Sequence, residues 1–165
     1  MRNNHVVLFS GGTGGHVIPS VNFGNYLINC GYNCTLFLDN RGLQYAGKFK
    51  GRIVNISSAH FSGNILFKLN SFLLLLYGFI QSFYHLMIIR PSHCISFGSY
   101  ASFMPLIVAT LLRVLKLTEI HLHEQNSIIG KVNLFFLPLS KNIFVNFNSI
   151  KNLQSQYRNK MNHVG

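Results

Sequence analysis

Apolar residues along the chain fall into two alternating textures. Short runs rich in β-branched and aromatic residues recur at "HVVLF" (5–9), "CTLFL" (34–38), "RIVNI" (52–56), "HCISF" (93–97), "EIHLH" (119–123) and "NIFVN" (142–146). Between them lie longer stretches with helical spacing, near 18–30, 42–48, 65–90, 101–116, 128–138 and 149–159. Near-continuous apolar runs suit strands buried on both faces, and their alternation with helices predicts βαβ units in an α/β, Rossmann-like, doubly wound parallel sheet. A seventh run begins at "HVG" (163–165). No repeat, low-complexity tract or linker divides the chain, so residues 1–165 are expected to form one domain.

In such a sheet, ligands bind beyond the carboxyl ends of the strands. The loops expected there are "SGGTGGH", "DNRG", "SSAHFSG", "GSYASF", "EQNSIIG" and "NFNS", and they carry most of the Gly, Ser, Asn and His with chemical use. The first is the most unusual. Gly11, Gly12, Gly14 and Gly15 allow positive φ and close approach of a ligand to the backbone, and Pro19 suits the first turn of a following helix. Unpaired amides at the positive helix end then favour a diphosphate or another anion, although a plain tight turn has the same composition. Two phosphate motifs fail. A P-loop needs Gly-Lys-Ser/Thr where this loop runs into His16, and a dinucleotide fingerprint counted from Gly12 puts its third glycine on Val17. Asp39, at the end of the second strand where a ribose-binding acid would belong, keeps a nicotinamide-binding domain open as an alternative.

Charge narrows the partner only coarsely. Fourteen Lys and Arg stand against three acids, Asp39, Glu119 and Glu124, for a formal charge of +11. An anionic partner is favoured, whether phospholipid surface, phosphorylated ligand or nucleic acid, though a compositional bias toward Asn, Ile, Lys and Phe gives the same count. Without a nucleic-acid motif or a clustered basic helix, no nucleic acid is expected. Cys30, Cys34 and Cys94 form no paired framework and read as small buried hydrophobes in a reducing compartment. The apolar core of "MRNNHVVLFS" is too short for a signal peptide, which points to the cytoplasm.

The segments "GGTGGHVIPS", "DNRGLQY", "RPSHCISFGSYASFMP" and "LHEQNSIIGKVN", in this order and spacing, resemble the N-terminal half of the MurG family of peptidoglycan glycosyltransferases. The resemblance implies half of a GT-B architecture, an acceptor-binding domain that faces a C-terminal donor-binding domain expected to be absent from this chain. It also implies the transfer of N-acetylglucosamine from UDP-GlcNAc to lipid I, forming lipid II, with the acceptor met on this side. UDP-GlcNAc would then bind only with a donor domain, for which a separate subunit is one source. The alternative is a non-catalytic lipid-diphosphate- or membrane-binding module, or a decayed gene fragment.

Inverting transfer needs a base for the acceptor hydroxyl and help for the departing diphosphate. His16 is the candidate base or acceptor-orienting group, with a helix-start cap as its bland alternative. Glu124 is the second candidate, either as a base or as a carboxylate holding the "HEQN" turn. By resemblance Thr13, Gly14, Gly15 and Asn126 contact the donor. Gly11, Gly12, Ser99, Tyr100 and Ser102 are candidates for acceptor phosphate or sugar. Ser99 stands where the family commonly has glycine; if that position needs positive φ, the serine is strained by about 1 kcal/mol.

The stretch 70–91 approaches the length of a membrane span, but Gly78, Gln81, Ser82 and His85 mark a polar stripe at helical spacing. With Lys68 before it and Arg90 after it, the expectation is an interfacial patch through Phe72, Leu76, Phe79 and Phe83, on the cytoplasmic membrane surface. A buried or dimer-forming helix and a spanning one are the alternatives. His121 and His123 share a strand face, but no third metal ligand lies at a convincing spacing, so no metal and no cofactor are expected.

Overall fold

The computed structural model describes residues 4–59 and 64–164. Its centre is a sheet of seven strands: β1 (His5–Phe9), β2 (Asn33–Leu38), β3 (Arg52–Asn55), β4 (His93–Ser96), β5 (Glu119–Glu124), β6 (Asn142–Val145) and β7 (Met161–His163). Every neighbouring pair is parallel, in the order β3-β2-β1-β4-β5-β6-β7. The order reverses between β1 and β4, which opens a crevice at the carboxyl ends of those two strands.

Alternation along β1 divides the core. Val6 and Leu8 face a cluster with Val17, Val21, Leu36, Leu38 and Phe97, under α1 (Gly14–Asn29). Val7 and Phe9 face the other side, where Leu86, Leu106, Ile120, Val132 and Phe136 bury α3 (Ile65–Ile89), α4 (Phe103–Val114) and α5 (Lys131–Phe136). Period-two side chains on strands and apolar stripes on helices leave no other arrangement that covers both faces.

Several expected helices change extent. The first starts four residues early, at Gly14, so Pro19 lies inside it and removes one bond to the Gly15 carbonyl. Gly14 and Gly15 are accordingly helical, and only Gly11 (φ 153) and Gly12 (φ 76) of the loop take positive φ. The helix expected at 42–48 is a single turn, α2 (Asn40–Leu43), capped by the Asp39 carboxylate on the Gly42 amide. The one expected at 149–159 is irregular followed by a 3-10 turn, because Ile150 is drawn into the core, Lys151 bridges to Ile128 and Asn152 takes φ 64. Cys34 and Cys94 are buried as expected, while Cys30 is exposed beyond the end of α1. Of the loop "SSAHFSG", residues 60–63 lie outside the described residues.

Helix α3 is built inside out. The residues it buries are Ser71, Leu75, Gly78, Ser82, Leu86 and Ile89, and Gln81 accepts a hydrogen bond from the Ser57 amide at 2.8 Å. Gly78 packs against the Ser57 carbonyl with no room for a Cβ. The expected polar stripe therefore faces the protein, while Phe72, Leu73, Leu76, Tyr77, Ile80, Phe83 and Tyr84 face out. This is the one described helix long and apolar enough to cross a membrane by length and composition.

Candidate active site at the sheet's carboxyl end

Three loops converge at the crevice. After β1, Gly11 packs so tightly that an added Cβ would sit 2.6 Å from Ala101 Cβ and 2.7 Å from Asp39 Oδ1. The Gly12 amide donates to Asp39 Oδ1 at 2.8 Å, and Arg41 Nε donates to Asp39 Oδ2 at 3.0 Å. Asp39 is therefore a buried pin for the glycine loop, and its carboxylate is already committed where a nicotinamide ribose would need it. The next amides, of Gly14 and Gly15, open α1 and take no backbone partner among the described residues. Thr13 occupies the cap position without using its side chain as a cap, and no acid lies in the first turn. The positive end of this sixteen-residue helix is thus met by no acidic side chain of its own first turn.

After β4, the chain passes through Gly98 (φ 82) and Ser99 (φ 78, ψ 157) into the turn that starts α4. Ser99 occupies the region of backbone space that is essentially reserved for glycine, as expected if this position requires positive φ. Its Oγ is buried with no partner among the described residues. Ser102 does not reach the crevice: it is fully buried and its Oγ donates to the Gly98 carbonyl at 2.5 Å. Tyr100 is exposed at the rim.

After β5, Glu124 is 1% exposed and fully engaged. Its Oε1 accepts from the Asn126 amide and Nδ2, both at 3.1 Å, and its Oε2 accepts from the Gly130 amide at 2.9 Å and Asn133 Nδ2 at 3.0 Å. Asn126 stays exposed. Across the crevice, His16 Nδ1 lies 2.9 Å from the Phe97 carbonyl and also meets Gln125 Nε2. The carbonyl only accepts and the Gln125 Nε2 only donates, so the first contact calls for a proton on Nδ1 and the second for its absence; Gln125 Nε2 also donates to the Phe97 carbonyl at 3.0 Å.

A cavity of about 380 Å³ joins these pieces, lined by Gly11, Gly12, Thr13, His16, Ser99, Tyr100 and Glu124 together with Arg41 and Lys131. Gly14 and Gly15 do not line it, and Asn126 belongs to a neighbouring depression with Gln125 and Phe147. Arg41 and Lys131 were not among the expected site residues; Arg41 lies in the expected loop "DNRG", whereas Lys131 is the first residue of α5. Tyr100, Lys131 and Val132 also line a second, apolar groove of about 800 Å³ walled by Phe72, Leu76, Phe79, Phe103 and Phe135. Of the expected membrane patch, Lys68, Phe72, Leu76, Phe83 and Arg90 are exposed, while Phe79 is partly buried against the core.

His121 and His123 share a strand face but turn to different partners. The His123 ring stacks on Phe97 at 4.7 Å, and burial lowers its pKa. His121 meets His93 and Phe144, and burial lowers its pKa to about 4.

A family model described as the glycosyltransferase family 28 N-terminal domain matches residues 6–145. The UDP-N-acetylglucosamine--N-acetylmuramyl-(pentapeptide) pyrophosphoryl-undecaprenol N-acetylglucosamine transferase of Rickettsia canadensis (strain McKiel) is 36% identical over 156 residues, covering 94% of this chain and 42% of that protein. The protein of the same name from Anaplasma marginale (strain St. Maries) is 35% identical over 162 residues, covering 97% and 44%. The chain thus spans about two-fifths of the length of these curated relatives. Among solved structures, MurG of Acinetobacter baumannii superposes with a TM-score of 0.78 at 20% identity, over 97% of this chain and 45% of that one. The glycosyltransferase of kitacinnamycin gives 0.65 at 12% identity, over 98% and 51%.

Proposed function

This chain belongs to the glycosyltransferase family 28 N-terminal domains, and from that premise we propose that it supplies the acceptor side of an N-acetylglucosaminyl transfer. The donor is UDP-GlcNAc and the acceptor is lipid I, a muramyl-pentapeptide on undecaprenyl diphosphate, which the reaction converts to lipid II. The observation that carries this reading is the junction of the polar, cation-bearing cavity with the apolar groove through Tyr100, Lys131 and Val132. A lipid-linked diphosphate sugar has that same sequence of apolar, anionic and hydroxylated parts.

In this reading Arg41, Lys131 and the first amides of α1 meet phosphate charge. His16 Nε2 takes the proton of the acceptor hydroxyl as its oxygen bonds to the donor sugar's anomeric carbon and the bond to UDP breaks, with inversion. Glu124 holds the turn rather than moving a proton, since all four of its contacts are donors to its oxygens. It thereby presents Asn126 to the donor sugar, alongside Thr13, Gly14 and Gly15. Most donor contacts come from a second half, carried on the same polypeptide or on a separate subunit. The outer face of α3 and its flanking Lys68 and Arg90 seat the domain peripherally on the cytoplasmic face of the cell membrane.

The test reconstitutes the chain with a donor-binding half and follows label from UDP-GlcNAc into lipid I. His16→Ala lowers turnover by about 10²–10⁴-fold and leaves sedimentation with anionic liposomes unchanged. Transfer that ignores His16→Ala refutes the assignment of the base. Binding of lipid I without transfer, whatever donor half is supplied, selects the non-catalytic module instead.

A further inference from the structure

At the opposite end of the sheet from the glycine loop, we propose that His93, His121 and Glu119 form a binding site for a zinc-class divalent cation. The strand register creates it. Glu119 pairs with His93 across β4 and β5, and His121 follows two residues later on the same face. Glu119 and His121 alternate on β5 itself, and the third ligand, His93, comes from the neighbouring strand β4.

The geometry fits such an ion. His93 Nδ1 and His121 Nε2 are 3.2 Å apart, and Glu119 Oε2 lies 3.6 Å from the first and 3.9 Å from the second. The circle through three atoms with those separations has a radius of about 2.1 Å. Zinc bonds to imidazole nitrogen and carboxylate oxygen are about 2.0–2.2 Å. An ion near that centre reaches all three atoms with shifts of a few tenths of an ångström, leaving a fourth position for water. The rings are already held. His121 stacks on Phe144 with centroids 5.8 Å apart, and the Asn142 amide lies 3.5 Å from its other nitrogen. Coordination through Nε2 puts the ring proton on Nδ1, so the Asn142 side-chain amide turns over from Nδ2 to present Oδ1 there.

The surroundings select among cations. Lys141 Nζ sits 2.9 Å from both Glu119 oxygens, and Arg90, Arg113 and Lys116 line the adjoining cleft of about 480 Å³. A dication held by charge alone is repelled there, so Mg²⁺ and Ca²⁺, which need several oxygen ligands, are excluded. An ion held by two imidazoles gains coordination energy that they do not. Lys141 is half-exposed and able to swing away, which makes it a competitor of the metal for Glu119.

Titration of the whole chain with Co²⁺ and Zn²⁺ tests the site. The expected result is a set of tetrahedral-type Co²⁺ absorption bands without a thiolate charge-transfer band, quenched by Zn²⁺ and absent with Mg²⁺, and a Tm raised by several degrees with Zn²⁺. His121→Ala and His93→Ala each weaken binding by about tenfold or more, and Lys141→Gln strengthens it. If His121→Ala fails to fold, the partly exposed His93→Gln carries the test. Absence of the Co²⁺ bands, bands that survive the removal of both histidines, or a thiolate band assigning the ion to Cys30 overturns the proposal.

Discussion

Replacing Ser99 with glycine is expected to stabilise the domain. At φ 78 and ψ 157 the serine sits where a Cβ is opposed by its own backbone, at about 1–3 kcal/mol. Its buried hydroxyl adds the cost of an unpartnered polar atom. Glycine removes both terms and returns about 0.5–1 kcal/mol through the extra freedom of the unfolded chain. The net gain is about 1–2 kcal/mol, or a rise in Tm of about 2–6 °C for a domain of this size. Thermal unfolding followed by circular dichroism measures it, with Ser99→Ala as the control. Alanine deletes the orphan hydroxyl but keeps the Cβ, so it should recover only a minor part of the gain. An unchanged or lower Tm in Ser99→Gly, or equal gains from alanine and glycine, refutes the argument from backbone strain.

Three further outcomes follow from the same coordinates. Gly78→Ala drives a methyl into the Ser57 carbonyl and should cost about 1–3 kcal/mol in urea unfolding, whereas Gly47→Ala, with nothing within 4 Å, should be neutral. Asp39→Ala orphans the Gly12 amide, while the Gly42 amide keeps the Asp39 carbonyl, and should cost about 1–3 kcal/mol by the same measurement. Acid should destabilise the fold early. Burial lowers the pKa of His5, His85, His121 and His123, so between pH 6.5 and about 4 the unfolded chain binds more protons and unfolding free energy falls as pH falls. His121 alone contributes about 2 kcal/mol across that window. A flat stability profile from neutral pH down to its end removes that reasoning.

The strands were legible because strands of a parallel sheet, buried on both faces, read as apolar runs, and the glycine loop because its place after β1 is dictated by the winding. Other features depend on what lies across the fold. The early start of α1 is masked by Gly14 and Gly15, both weak helix formers, which become helical because the loop before them is pinned by Asp39 just after β2. The stripe of Gly78, Gln81 and Ser82 is visible in the periodicity of α3, but periodicity does not say which side of a helix is the inside. Arg41 and Lys131 look like solvated loop charges until the crevice brings them to His16. His93 and His121 lie twenty-eight residues apart and meet only through the register of β4 with β5.

The inverted patterning of α3 separates two sets of selective pressure. Its grip on the sheet rests on Ser71, Gly78 and Ser82 beside Leu75, Leu86 and Ile89, whose loss would be felt as unfolding, while the exposed Leu73, Tyr77, Ile80 and Tyr84 can be exchanged with little effect on the core. Drift or design can therefore alter the apolar character of the outer face, residue by residue, without touching the determinants of folding.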